Sequence, residues 1–131
     1  MDYKAYYTAL GQLVYAIAKA DGSVQTEERS KIFNFVISQL VELEEKTGRG
    51  KEALMAFNTE KEFHRLRDEN KSVKEAYQQF ADFLDANMVD FDENMKKTCV
   101  NLMENVALAY NGIEPPEKAL IEKAKEKIKS I

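Results

Sequence analysis

Cysteine and histidine each occur once in this chain, and glycine only five times. A lone cysteine, Cys99, makes no internal disulfide and no cysteine-based zinc cluster, which suits a reducing compartment. The cytoplasm is the expected location. A lone histidine, His64, cannot serve a di-iron centre in a helical core, because that site takes two Glu-x-x-His motifs. Glu60 and Glu62 also stand at the wrong spacing from it. The Thr47-Gly48-Arg49-Gly50-Lys51 stretch has neither the spacing nor the trailing Ser/Thr of a phosphate-binding loop. No apolar run approaches the ~20 residues that span a bilayer. Met1-Asp2-Tyr3-Lys4 opens on polar residues, unlike a signal peptide, so neither membrane insertion nor secretion is expected. Positive charge is in deficit: 19 Lys and Arg stand against 23 Asp and Glu, for a net charge of −4. Even the most basic stretch, Lys61 to Lys74, offsets Lys61, Arg65, Arg67, Lys71 and Lys74 with Glu62, Asp68 and Glu69. Nucleic acid is therefore not an expected partner.

What is present is helical periodicity almost throughout, without the strand-like alternation that turn residues would bound. A chain of 131 residues buries roughly two-thirds of its unfolded surface, enough for one core. The first helix is expected over residues 3–20, with Tyr6, Leu10, Leu13, Val14 and Ile17 as its inner stripe. Asp21-Gly22-Ser23 then turns the chain. Thr26, Glu27 and Glu28 start a second helix that runs to about residue 47, because a hydroxyl cap and acidic residues suit a helix N-terminus. Residues 51–70 read as two short helical pieces, with Asn58-Thr59 as the cap between them. A helix over 72–86 follows, carrying Val73, Ala76, Tyr77, Phe80 and Leu84 inward. Asp92 caps the next, which carries Met95, Cys99, Leu102, Met103, Val106 and Tyr110. Its end, Val106-Ala107-Leu108-Ala109-Tyr110, is apolar all round, which marks it as the expected central helix. Pro115 or Pro116 opens a last helix whose inner residues are Leu120, Ile121, Ala124, Ile128 and Ile131. The expected fold is all-α: one compact single-domain helical bundle over residues 1–131, of about six to seven helices.

Two segments echo one another. Ala16-Ile17-Ala18-Lys19-Ala20-Asp21-Gly22-Ser23-Val24 with Glu27-Glu28 matches Ala107-Leu108-Ala109-Tyr110-Asn111-Gly112-Ile113 with Glu117. Each is an apolar helix end, a glycine turn, a branched residue and an acid-led helix. Two pseudo-repeated helix–glycine turn–helix hairpins, pivoting on Gly22 and Gly112, are the expectation. Independent solutions to one capping problem would look the same.

The Ile17-Ala18-Lys19-Ala20-Asp21-Gly22-Ser23-Val24 pattern with Glu27-Glu28, set between amphipathic helices, resembles the tellurite-resistance TerB and TerB-like family. The likeness covers about residues 10–40 well and about 100–128 loosely. The resemblance implies a compact helical, bacterial cytoplasmic protein tied to tellurite and other stress responses, with divalent metal held by acidic residues. It implies no enzymatic reaction. The second copy departs from the pattern, with Asn111 in place of an aspartate and Pro115-Pro116 in the following cap.

The metal reading rests on Asp21 and Glu28. Asp21, Gly22, Val24 and Glu28 occupy the fifth, sixth, eighth and twelfth positions of an EF-hand loop. Ile17 and Lys19 fill its first and third, where carboxylates belong, so a complete calcium hand is not expected. A weakly bound divalent cation, or plain helix capping, remains for these two residues. Cys99, between Met95 and Met103 on one helix face, reads as a small core residue. His64 reads as a surface residue between Glu60 and Asp68. The acidic run from Asp82 to Glu93 is either a solvated pair of helix ends or a negative patch for a basic partner or cation. Tyr3, Tyr6 and Tyr7 belong either to the core or to an interface. The expected function is thus a non-enzymatic module that binds a partner protein, with a divalent cation as a second ligand. The alternatives are a metal-free homodimeric or adaptor domain with an apolar groove, and an enzyme whose site the linear order hides.

Overall fold

A computed structural model of the chain describes residues 3–20, 38, 57–109 and 115–131. Among these residues there are five helices and no strand: α1 (Tyr3–Lys19), α2 (Phe57–Asp68), α3 (Val73–Ala86), α4 (Glu93–Ala109) and α5 (Pro115–Lys129). Of the helix expected over 26–47 only Ser38 is described, and it is helical; the rest of that helix, both glycine turns and the Gly48–Gly50 loop lie outside the described residues. No helix among those described is long and apolar enough to cross a membrane.

The ends of these helices follow from local chemistry. Ser72 precedes α3 in an extended conformation, and its hydroxyl accepts from the Glu75 N–H at 3.1 Å. Asp92 does the same for α4, its carboxylate accepting from the Met95 N–H at 2.9 Å, as expected. The end of α2 is a left-handed stop. Asn70 has φ of 50°, the Lys71 N–H reaches back to the Leu66 carbonyl, and the Asn70 N–H reaches that of Arg67. That pair of bonds satisfies carbonyls the helix would otherwise leave open, and asparagine tolerates the required backbone better than most residues. Pro115 takes the first position of α5, where its missing N–H costs nothing.

One expectation about α2 needs correction. Residues 57–68 form a single continuous helix, and Asn58-Thr59 lies within its first turn rather than between two pieces. Thr59 is fully buried, and its hydroxyl donates to the Tyr7 carbonyl of α1 at 2.7 Å. Its polarity serves a tertiary contact instead of a cap. Residues 51–56, where the first of the two expected pieces falls, lie outside the described residues.

A second correction concerns the centre. Among the described helices, the one packed against all of the others is α1, whereas the described part of α4 packs chiefly against α1 and α5. In α1, Leu10, Leu13, Val14 and Ile17 form the expected stripe, but Tyr6, Tyr7, Ala9, Tyr15, Ala16 and Ala18 are buried too. The run Leu13-Val14-Tyr15-Ala16-Ile17-Ala18 is apolar on every side and therefore needs neighbours all round. By contrast, Glu93, Asn94, Lys97, Asn101 and Glu104 give α4 an exposed outer face.

The α1–α2 contact is unusually close. A Cβ placed on Gly11 would lie 2.6 Å from the Thr59 carbonyl oxygen and 2.9 Å from Glu62 Cβ, so only glycine admits this approach. Around it, the Tyr15 hydroxyl donates to the Lys71 carbonyl at 2.7 Å and Gln12 donates to Glu62 at 2.8 Å. Lys19 bonds the Asn70 side chain, and the Tyr15 and Phe63 rings meet edge-on at 5.7 Å. Glu62, although buried, is also held by Arg65, so its charge is not left uncompensated. The other helices complete the core: Phe80 and Leu84 from α3, Met95, Cys99 and Met103 from α4, Ile121, Ala124 and Ile128 from α5.

Gly11→Ala should destabilise the protein by about 2 kcal/mol, because the steric cost outweighs alanine's gain of about 1 kcal/mol in helix propensity. Thr59→Val, which keeps the shape and deletes the hydroxyl, should cost about 1 kcal/mol, and Thr59→Ser much less. Urea denaturation of the three variants reads both effects.

Candidate functional site

Four residues singled out by sequence, Asp21, Gly22, Glu28 and Gly112, lie outside the described residues. The described helices do stop beside them. α1 ends at Lys19 with the Ala20 N–H bonded to the Ile17 carbonyl, one residue before Asp21. α4 ends at Ala109 and α5 begins at Pro115, on either side of Asn111-Gly112. Among the described residues no group of three or more His, Cys, Asp or Glu converges as a metal would require.

The remaining sequence candidates are resolved as follows. Cys99 is completely buried, and burial pushes its thiol well above the ordinary range, so it holds its proton. His64 lies on α2 with its Nε2 3.5 Å from Glu60 and both side chains partly exposed. In the acidic run, Asp82 accepts from Gln78, Asp85 pairs with Lys127 at 2.8 Å, Asp92 caps α4 and Glu93 approaches Lys96 at 3.4 Å. Tyr6 and Tyr7 are core residues, with Tyr6 packed edge-on against Phe91 at 5.9 Å.

Two surface clefts are lined by described residues. One, of about 480 Å³, lies between α1 and α3 on Ala5, Thr8, Ala9, Gln12, Gln79 and Phe83, with Lys4 at its edge. Its polar groups are neutral amides and a hydroxyl, and the Thr8 hydroxyl is already bonded to the Lys4 carbonyl at 2.8 Å. The other, of about 340 Å³, lies between α4 and α5. Val100 and the almost fully buried Ile128 supply apolar surface, Lys96, Lys97, Lys125 and Lys129 surround it, and Glu93 and Asn101 complete the lining. Spacing explains the arrangement. Lys96, Lys97 and Val100 are neighbours at one-turn separation on α4, as Lys125, Ile128 and Lys129 are on α5.

Two of the four ammonium groups are engaged. Lys96 lies near Glu93 and donates to the Ile131 main-chain oxygen at 3.0 Å, and Lys125 pairs with Glu104 at 3.2 Å. Lys97 and Lys129 are exposed and make no ion pair among the described residues. The cleft is thus apolar at its base and positive at its rim, in a chain whose net charge is negative. Such a site takes an apolar side chain flanked by carboxylates. Sequence reasoning missed it. Nothing in the linear order set Lys125 and Lys129 beside Lys97.

On the opposite flank of α5, Lys123 sits over the Tyr77 ring at 4.6 Å from its centre. The Tyr77 hydroxyl is buried without a hydrogen-bond partner among the described residues. Burial raises its pKa, with the Lys127 charge pulling weakly the other way.

Compared with family models, with curated proteins and with solved structures, the chain matches none.

Native Cys99 should react with a thiol reagent at least about tenfold more slowly than in the urea-unfolded chain, since the attacking thiolate is suppressed by burial. For Tyr77 the folded pKa lies above the ordinary 10.0. The unfolded chain therefore releases this proton first, and the stability that Tyr77 contributes below that pH declines as pH rises past it. Tyr77→Phe should raise stability at neutral pH by about 1 kcal/mol, by removing an unpaired buried hydroxyl, and should flatten the alkaline decline. Denaturant titrations of both proteins across that range test the two effects together.

Proposed function

We propose that this chain is a non-enzymatic, TerB-like helical binding module of a bacterial, cytoplasmic stress-response system, which engages a partner protein and binds a divalent cation weakly through Asp21 and Glu28. The observation that carries the reading is the pair of helix ends. α1 and α4, both packed in the core, each stop just before an Asp-Gly or Asn-Gly dipeptide, and α1 lies against both α4 and α5. This supports a bundle of six to seven helices, one domain over residues 1–131, in which the pseudo-repeated hairpins adjoin. Within it, Asp21 and Glu28 are the acidic ligands, at the fifth-to-twelfth spacing that a glycine turn allows. The TerB-like pattern around Asp21-Gly22 supplies the setting.

The non-enzymatic part of the reading draws support from the placement of the two side chains best suited to nucleophilic or proton-transfer chemistry. Cys99 is shut in the core with its thiol protonated, and His64 stands on the surface of α2 beside Glu60. They lie on different helices, α4 and α2, which do not form a principal contact. Partner binding accords with a surface whose lysine-rimmed cleft is apolar at its base.

Titration of the isotopically labelled protein with calcium, magnesium, manganese and zinc tests the cation. At least one of these metals should shift the amides around Asp21 and Glu28 with a dissociation constant on the order of 10⁻⁴–10⁻³ M. Asp21→Asn with Glu28→Gln should abolish the shifts. Unmoved amides at millimolar metal would refute cation binding.

A further inference from the structure

Two features of the described surface complement one another, and they lie at the same end of the molecule. The α3–α4 turn carries Met88, 52% exposed, and Val89, 98% exposed, so Val89 touches almost nothing of its own chain. Carboxylates flank this apolar tip. Asp85 precedes it, and Asp90, Asp92 and Glu93 follow. Asp90 is exposed and makes no ion pair among the described residues. The cleft between α4 and α5 is the inverse: Val100 and Ile128 at its base, with Lys97 and Lys129 unpaired at its rim. It begins at Glu93 and Lys96, in the first turns of α4, and the tip immediately precedes that helix.

We propose that the occupant of this cleft is the Met88–Val89 tip of a second copy of the chain. Because tip and cleft adjoin, a two-fold axis between two copies lets each tip enter the other's cleft, so one favourable contact is made twice. Val89 and Met88 then leave water against Val100 and Ile128. Asp90 meets Lys97 and Lys129, which gives the pairing both its orientation and a dependence on salt. The tip cannot serve its own cleft, as the exposure of Val89 shows. The surfaces involved are small, so the dimer is weak, with a dissociation constant on the order of 10⁻⁴ M. This inference goes beyond the cation reading and stands whether or not Asp21 and Glu28 bind a metal.

Sedimentation velocity and amide shifts, followed from about 20 μM to about 1 mM of the full chain, bracket that affinity. The expected result is concentration-dependent dimerisation with shifts at Val89, Lys97, Val100 and Ile128, weakening as salt rises. Val89→Asp and the double variant Lys97→Glu/Lys129→Glu should each weaken dimerisation at least tenfold. Asp90→Lys alone should weaken it too. An equimolar mixture of Asp90→Lys with Lys97→Glu/Lys129→Glu should regain it, because both contacts in the mixed dimer then join opposite charges. All of these positions are exposed, and unchanged circular dichroism shows that the variants fold. Lys97→Ala/Lys129→Ala, which introduces no new charge, should give a smaller weakening. A monomer across the whole range overturns the proposal. So does self-association that survives the variants, or a mixture that stays monomeric.

Discussion

The position of α2 on α1 rests on one main-chain approach. At Gly11 the two helices come so near that no side chain fits between them, and the Thr59 hydroxyl bonds straight to the Tyr7 carbonyl. Close packing of this kind multiplies weak dispersion contacts along the whole seam, since each depends steeply on distance. Gln12, Tyr15 and Lys19 then add polar bonds at successive turns beyond the glycine. The result is a pair held in one register, which exposes the rest of α1 to α3, α4 and α5. A helix apolar on every side has no stable arrangement until all of its faces are covered. The cooperativity of the bundle therefore grows out of α1.

Much of this architecture was legible in the sequence, and the parts that were not share a cause. Periodicity placed α1, α3, α4 and α5 to within a residue or two, and Asp92 was identified as a cap from its position before an apolar stripe. The inward residues of α3 and α5 were likewise correct. Periodicity, however, reports which face of a helix is apolar and not which neighbour covers it. The all-round apolar end of α4 was given the central role, although Leu13 to Ala18 carries the same signal and had an equal claim. Gly11 offered a further hint. A glycine inside an apolar helical run costs about 1 kcal/mol of propensity, and such a position has a packing reason when it persists. Thr59 read as a cap because threonine often is one, and the tertiary use of its hydroxyl was invisible locally. Ser72 and Glu75 form the Ser-x-x-Glu signal of a helix start, which could have been used directly.

Charge is distributed in a way that composition hides. The net charge is negative, yet α5 sends lysines to both of its flanks. Lys123 and Lys127 reach the Tyr77 ring and Asp85 of α3, and Lys125 and Lys129 border the cleft with α4. Surface ion pairs of this sort contribute little to stability, about 0–1 kcal/mol each. Lys97 and Lys129 take part in none of these pairs, so that a largely positive rim survives on an acidic protein, with Glu93 the one carboxylate among the cleft's lining residues. The acidic residues from Asp82 to Glu93 are mostly committed to caps and pairs. Asp90 is the exception, beside the exposed Val89. A cleft assembled from two helices with an intervening chain reversal leaves no mark in local sequence, which is why it emerged only in three dimensions. Asp21 and Glu28, conspicuous in the sequence, lie outside the described residues.

Native-state hydrogen exchange measures most directly whether α1 is the element on which the others depend. The amides from Leu10 to Ile17 should exchange only through global unfolding, with one shared opening free energy equal to that from denaturant titration. Amides of α4 and α5 should open earlier, through smaller excursions. Exchange of the α1 amides by local opening, while those of α4 outlast them, would contradict the account.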